Sequence, residues 1–547
     1  MDTPWSMPAA PYRQLSAPIK GTWCWEGGNA VCTIKTSGKR LLYPKFLAME
    51  YLCNPQSDSG PSLYYSEGFK IPFKHPTNKS KKIVFMPNIK ICSMPHTPDY
   101  EVRWQNFKGF VDTGWRKIKP ITILIGPNNS GKTSFIDPFL LMNQTITSID
   151  PSSPLIIRGR LYDGGNIKEL VNNYDLSKNF TFGFKYHVHT PDKKLGKIGQ
   201  YPPGAVDVTF GVNNETDREV FVKNETVYDI YHRPFFRLTR NHAGNYLYKG
   251  IAPSKMNPRE VEAIKKSNPV NFLFSPNSLL SSLSRLSTPD DAKYKSAKFT
   301  QQFSNLLQVL SFSFSQARNV LADSSYIGPI RENPKRFYEL KNENFRSVGS
   351  RGENFADLLK KNHKLIEKEL NEWVKKFEFG DKLELIPLSK TIYSIIFRNN
   401  NEEVYTNIAN AGFGASQILP LIVQALVSVE NSLTIAEQPE IHLNPRLQGL
   451  LADLFAYMVK KGQRVIVETH SEHLLLRLRT LLAYKAIDPD DIAVYFIEKN
   501  MGISTIKEIN IEGNGSIKPA EWPKGFFADT LKESLALASA QAKLRKK

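Results

Sequence analysis

The run Ile121-Thr-Ile-Leu-Ile125 passes without a break into Gly126-Pro-Asn-Asn-Ser-Gly131-Lys132-Thr133 and then into the apolar segment SFIDPFLLM. A continuous β-branched run reads as a strand buried on both faces, which is the situation of a parallel sheet covered by helices. In the G-x-x-x-x-G-K-[ST] spacing, the glycines let backbone amides turn inward around phosphates. Lys132 then reaches the β- and γ-phosphates and the Thr133 hydroxyl ligates magnesium. The helix that starts there adds its positive N-terminal dipole, with Pro138 in its opening turns or bending it. Strand, loop and helix together predict an α/β P-loop fold that takes ATP and Mg2+. The expected binding residues are Gly126, Pro127, Asn128, Asn129, Ser130, Gly131, Lys132, Thr133 and Ser134.

A P-loop enzyme also needs an acid at the tip of a second buried strand to hold the cation. Leu433-Thr-Ile-Ala-Glu437 supplies one, making Glu437 the expected partner of Thr133 in metal binding. The residues that follow, Gln438-Pro439-Glu440-Ile-His442-Leu-Asn444-Pro445, are too polar for core and too ordered for a linker. Upstream lies Asn410-Ala-Gly412-Phe-Gly414-Ala-Ser416-Gln417, a glycine-serine turn opening an apolar helix, whose amides suit a phosphate. Downstream, another strand ends in Glu468-Thr469-His470-Ser471, which puts His470 at a sheet tip facing the γ-phosphate. The C-terminal half alternates strand and helix: Leu433–Ala436, Pro445–Lys460, Arg464–Glu468, a helix from Glu472, and Ile492–Glu498. That order implies βαβ units and a parallel sheet.

At 547 residues the chain has room for two or three domains or one large α/β unit with insertions, and 41% hydrophobic with 23% charged residues is a folded composition. The formal net charge of +19 favours polyanionic partners such as DNA or RNA, or else reflects basic residues scattered for solubility. No apolar run is long enough to span a bilayer; the best, Ile418 to Val429, contains Pro420 and Gln424. The first residues, MDTPWSMPAAPYRQ, lack the basic-then-apolar order of a secretory signal, so no membrane association and a cytoplasmic location are expected. Cys24, Cys32, Cys53 and Cys92 all fall in the first hundred residues without a C-x-x-C pair, which favours ordinary cysteines over a zinc site.

Composition divides the chain further. Residues 1–100 read as a β-rich extension, within which Phe69 to Lys82 interleaves basic and aromatic side chains. Residues 101–250 read as an N-terminal ATPase lobe with strands at Phe180 to Tyr186, Ala205 to Val212 and Glu219 to Tyr231. Residues 251–325 read as a helical insertion ending in an amphipathic helix around Phe303 to Val320. Residues 326–510 read as the C-terminal ATPase lobe, opening with a helix from Phe355 to Phe377 whose apolar face is core packing. Residues 511–547 form a closing module and basic tail. No sustained heptads occur, so a long coiled-coil arm is not expected.

Taken in order, these motifs resemble the ABC-type ATPase heads of the RecF, OLD and structural-maintenance-of-chromosomes group. The chain looks most like bacterial predicted ATPases that combine GFGxSQ, EQPExHLxP, ETHSEHLLxRLR and a WPxGFF module. Here these are Gly412 to Gln417, Glu437 to Pro445, Glu468 to Arg479 and Trp522 to Phe527, with Tyr326 to Arg331 and Arg351 to Asn354 as further landmarks. The resemblance implies a mixed-sheet lobe joined to a parallel RecA-like lobe. It also implies a homodimer or higher oligomer with two ATP molecules sandwiched, in which Gly414, Ser416 and Gln417 meet the partner's ATP. Asn444 would lie between the two sites and His470 would sense the γ-phosphate.

One residue departs from the usual head. The position after the magnesium acid is ordinarily a glutamate that polarises water, and here it is Gln438, which orients water without accepting its proton. Slow hydrolysis is therefore expected, with Glu437, Gln438, Glu440 and His470 as the catalytic set and Glu440 the candidate base. The functional expectation is an ATP-gated dimerising switch that senses or clamps nucleic acid and controls a separate nuclease or toxin in bacterial antiphage defence. A RecF-like DNA-repair clamp and an oligomeric scaffold for another protein are the alternatives. OLD proteins carry a nuclease domain after the switch histidine, for which too little chain remains here.

Overall fold

The computed structural model describes residues 100–186, 203–213, 219–229, 231–250, 255–286, 299–341, 343–399 and 405–518, together with short strand segments between 21 and 71. Two units separate, Met1–Cys92 and Ser93–Lys547. In the first, Gly21–Glu26, Asn29–Thr36 and Lys39–Arg40 form an antiparallel sheet, and Leu63–Tyr64 pairs with Lys70–Ile71. The four cysteine side chains, most of the Phe69 to Lys82 segment, the Trp522 to Phe527 module and the basic tail lie outside the described residues.

The second unit is built on a six-stranded sheet. Its strands are β1 (Ile121–Ile125), β2 (Ser325–Ile327), β3 (Leu433–Glu437), β4 (Arg464–Glu468), β5 (Ile492–Asn500) and β6 (Ile503–Ile509), in the spatial order β2-β3-β4-β1-β5-β6. All neighbours are parallel except the edge pair β5 and β6. The helices that connect or flank these strands include α1 (Lys132–Ile146), α2 (Gln301–Ala322), α3 (Phe355–Lys376), α4 (Phe413–Val427), α5 (Pro445–Lys460) and α6 (Glu472–Ala483). Among the described residues the longest helices, α2 and α3, have 22 residues each.

Side-chain alternation divides the sheet between two cores, because successive residues of a strand face opposite sides. Ile121, Ile123 and Ile125 of β1 join Ile492, Val494 and Phe496 of β5 against α3 to α6. Leu124 of β1, Ile435, Ile466 and Tyr495 face the other way, toward α1 and α2. Beyond α1 stands an eight-stranded antiparallel sheet ordered Tyr246–Gly250, Pro234–Arg240, Val220–Asp229, Pro203–Val212, Phe180–Tyr186, Tyr100–Phe107 and Phe110–Asp112, with Arg116–Ile118 also on Tyr100–Phe107. Trp104 locks this sheet to α1: its Nε1–H donates to the Phe135 carbonyl at 3.0 Å, and its ring meets Phe139, Phe182 and Phe184 edge-on. A small sheet of Tyr338–Glu339, Lys382–Pro387, Ile392–Arg398 and Tyr405–Asn407 packs beside α3.

The segment expected as a helical insertion holds helices Pro258–Lys266 and Pro276–Arg285 and then α2. It shares the α1 core rather than forming one of its own: Phe303, Leu306, Leu310 and Leu321 belong to the same cluster as Trp104 and Phe135. The Asn143 amide of α1 donates to the Leu321 carbonyl at 2.6 Å and to Ser324, tying the end of α2 to the approach to β2.

Candidate nucleotide site

Three adjacent strands, β3, β4 and β1, end at the same edge of the sheet, which is where open α/β sheets hold ligands. From β1 the chain enters the P-loop. Gly126 has φ +148°, and a Cβ there would lie 2.0 Å from the Ile497 carbonyl oxygen of β5, so no side chain fits between loop and strand. Gly131 has φ +106°, and its Cβ would lie 2.6 Å from Ser504 Oγ. Pro127, Asn128 and Asn129 are exposed, Asn129 in the left-handed region at φ 59°, whereas the Ser130 hydroxyl is buried without a hydrogen-bond partner. Ser134 is half-buried in the first turn of α1, and Pro138 falls in that helix's second turn.

Lys132 folds back on its own loop, donating to the carbonyls of Gly126 at 3.1 Å and Pro127 at 2.8 Å. Thr133 donates its hydroxyl to Glu468 Oε2 at 2.9 Å, and Lys132 Nζ stands 4.0 Å from Glu468 Oε1. Glu468 was not among the site residues expected from sequence. Its signal was present, since Arg464-Val-Ile-Val-Glu468 ends a buried apolar run in an acid just as Leu433-Thr-Ile-Ala-Glu437 does, and the two glutamates are register partners.

Glu437 lies at the tip of β3, 6% exposed, with Oε1 lacking any hydrogen-bond partner. Burial first, and then the like charge of Glu468, push its carboxyl up to about 8. Burial raises Glu468 as well, against the pull of Thr133 and Lys132. One turn into α1, buried Asp137 pairs with Lys108 at 2.6 Å and is raised by burial to about 6. Three carboxyl groups thus influence one another electrostatically against two lysines.

Among the described residues no three or more His, Cys, Asp or Glu side chains converge to hold a metal alone. Mg2+ does not need such a cage, because it is ordinarily held by one or two carboxylates together with substrate phosphates and water. A hydroxyl, two carboxylates and an orphaned buried oxygen fit that demand. Thr133 and Glu437 would hold the cation, which screens phosphate charge when bound.

The loop after β3 is tightly turned. Gln438 adopts φ 44° and donates its backbone N–H to the Glu468 carbonyl at 2.7 Å, joining the tips of β3 and β4. Glu440 is buried, and its Oε1 accepts the His470 backbone N–H at 2.7 Å. Arg331, 4% exposed, reaches the Glu437 carbonyl at 3.3 Å, and burial lowers its guanidinium to about 10 against the opposing pull of Glu440. Glu440 thus holds the main chain of the histidine loop through Oε1, while its Oε2 is buried without a hydrogen-bond partner. His470 itself is half-exposed and held below its ordinary value by burial and by Lys132, so it stands neutral at pH 7.

The glycine-serine turn opens α4 with Gly412 as N-cap and no side-chain cap. A Cβ on Gly414 would lie 3.1 Å from the His442 carbonyl oxygen, and the Phe413 ring, 59% exposed, meets His442 at 5.5 Å. Ser416, expected to meet a partner's ATP, is buried, and its hydroxyl donates back to the Phe413 carbonyl at 2.8 Å. Gln417 is buried too. What the turn leaves open are Gly412, the Phe413 ring and the first amides of α4. Asn444, at the end of the same loop, caps α5 by accepting the Leu447 N–H at 3.0 Å.

A family profile described as an AAA ATPase domain matches residues 101–475, and a second, described as a protein of unknown function (DUF3696), matches residues 487–537. No curated protein sequence matches the chain. Among solved structures it is similar to the SMC head domain from Thermotoga maritima, at 10% identity over 75% of this chain and 98% of that one, with a TM-score of 0.31. It is also similar to an Smc head domain with an extended coiled coil bound to the C-terminal domain of ScpA, derived from Pyrococcus furiosus, at 11% identity over 76% and 97% with a TM-score of 0.31. The profile spans the P-loop, Glu437 and His470, and by that match the chain belongs to the AAA ATPase domain family.

Proposed function

We propose that the chain is an ATP-gated switch in which Mg2+-ATP closes two copies face to face, each completing the other's site. The observation that carries this reading is the placement of the two phosphate-seeking elements. The P-loop is walled by Ile497, Ser504 and Glu468, while the glycine turn sits against the loop at His442 with its helix amides uncapped and Phe413 outward. Uncapped amides at a helix start attract anions, and a phosphate carried by a second copy supplies one.

In this account Lys132 leaves its loop carbonyls for the phosphates, while Thr133 and Glu437 hold the cation. His470, kept neutral and fixed through Glu440, reads the terminal phosphate. Gln438 orients water without taking its proton, so turnover is slow and the bound state is long-lived. The charge of +19 supports nucleic acid as the sensed ligand. The motif resemblance supports a separate effector, a nuclease or toxin, in antiphage defence. No helix among the described residues is long and apolar enough to cross a membrane.

Light scattering with and without Mg2+-ATP, followed by DNA and RNA titrations at two salt concentrations, tests both parts. The reading predicts a nucleotide-dependent dimer whose nucleic-acid affinity falls steeply with salt. A monomer under all conditions overturns the switch, and binding insensitive to salt removes nucleic acid from it. DNA-stimulated turnover by the isolated chain favours a repair-type clamp over effector control.

A further inference from the structure

We infer that Glu468 is a second acidic ligand of the nucleotide's divalent cation, sharing it with Glu437 and Thr133. This rests on the ATP-binding reading above and adds a residue that the P-loop pattern does not contain.

The argument starts from position. Glu468 closes β4, the strand lying between β3, which carries Glu437, and β1, which carries the P-loop. Its carboxylate is 5% exposed and touches the two P-loop side chains that a Mg2+-nucleotide must engage: Thr133 at 2.9 Å and Lys132 at 4.0 Å. A phosphate draws Lys132 away and a cation draws the Thr133 oxygen away. Each partner of Glu468 is then committed elsewhere, which leaves a buried carboxylate facing the cation.

A second, independent observation lies next to it. Glu437 Oε1 is buried with no partner, and its strand is in register with Glu468 at that residue. Two carboxylates side by side in low dielectric repel each other unless a proton or a cation sits between them. A structural role as a mere tether for Thr133 would be served by a neutral amide. The adjacent like charge is what a cation site uses and what a tether avoids.

The test measures metal dependence rather than turnover. Binding of a fluorescent ATP analogue to the full chain is titrated with Mg2+ and, in parallel, with EDTA, for wild type, Glu468→Gln and Lys132→Ala. The inference predicts that Glu468→Gln needs roughly 10- to 100-fold more Mg2+ for half-maximal nucleotide retention. Its affinity in EDTA stays equal to wild type or becomes tighter, because Lys132 has lost a competing anion. Electron paramagnetic resonance of bound Mn2+-nucleotide should change between wild type and Glu468→Gln, and Glu468→Asp, which keeps the carboxylate if Glu468→Gln fails to fold, should regain binding with Mn2+ before Mg2+.

An unchanged Mg2+ requirement together with an unchanged Mn2+ spectrum overturns the inference, including the case in which turnover alone falls and Glu468 is a proton acceptor. If wild type itself fails to bind the analogue in Mg2+, the ATP-binding reading fails and the cation ligand falls with it. Loss of binding confined to Lys132→Ala keeps that reading and isolates the question to Glu468.

Discussion

Charging either of two glutamates at adjacent strand tips is costly once both are buried, and the pair Glu437 and Glu468 sets the pH behaviour of the site. With its carboxyl raised to about 8, Glu437 is largely protonated at pH 7 in the nucleotide-free protein. A cation needs the ionised form, so binding releases a proton and Mg2+-nucleotide affinity should rise from pH 6 toward pH 8.5 and then level. Fluorescence titrations across that range check this, and Glu437→Gln should be weak and flat throughout.

The same shift acts on stability with the opposite sense. Between about 4.5 and 8 the folded chain keeps a proton that the unfolded chain has released, so this contribution is full below about 4.5, falls steadily through that interval and is gone above about 8. Glu437→Gln should therefore raise the melting temperature of the nucleotide-free protein by a few degrees at pH 9, by less at pH 6, and leave it little changed at pH 4. Lys132→Ala, by contrast, should remove detectable nucleotide binding while melting close to wild type.

At the scale of elements, the fold depends on close approaches that a single atom can block. Gly126→Ala places a Cβ against the Ile497 carbonyl, so it should displace the loop from β5 and abolish nucleotide binding, with a lowered melting temperature. Trp104→Ala removes the ring that joins the antiparallel sheet to α1 and should cost about 3–5 kcal/mol in denaturant unfolding.

Elements with strong local signals were readable directly: β1 and β4 as apolar runs, and α5 from Pro445 to Lys460. Strands Pro234–Arg240, Tyr246–Gly250 and Lys382–Pro387 were not, because polar residues interrupt them and their pairing is set by partners elsewhere in the chain. The site followed the same rule. P-loop residues stood out by their spacing, whereas Glu468 closes an apolar run just as Glu437 does and is tied to the P-loop by a contact with Thr133 that spans 335 residues of sequence. Ser416 shows the converse: a motif named it, but its hydroxyl bond to the Phe413 carbonyl was visible only in the structure.

At the scale of the molecule, the proposed reading makes each chain half of a two-part machine. Gly412 offers the sharpest probe of the other half: a Cβ there meets nothing within 4 Å, and aspartate is a favoured N-cap. Gly412→Asp should keep the fold while its carboxylate occupies the amides that the proposed reading offers to a partner's phosphate. Lys132→Ala disables the P-loop and leaves the turn intact. In a pair of unlike copies, one site joins the sound P-loop of the first variant to the sound turn of the second.

Light scattering of the two variants, alone and mixed in equal amounts with Mg2+-ATP, therefore measures whether the site is shared. A shared site predicts monomers for each variant alone and a nucleotide-dependent heterodimer in the mixture. Dimers formed by Lys132→Ala alone, or a mixture that stays monomeric while wild type dimerises, would contradict it.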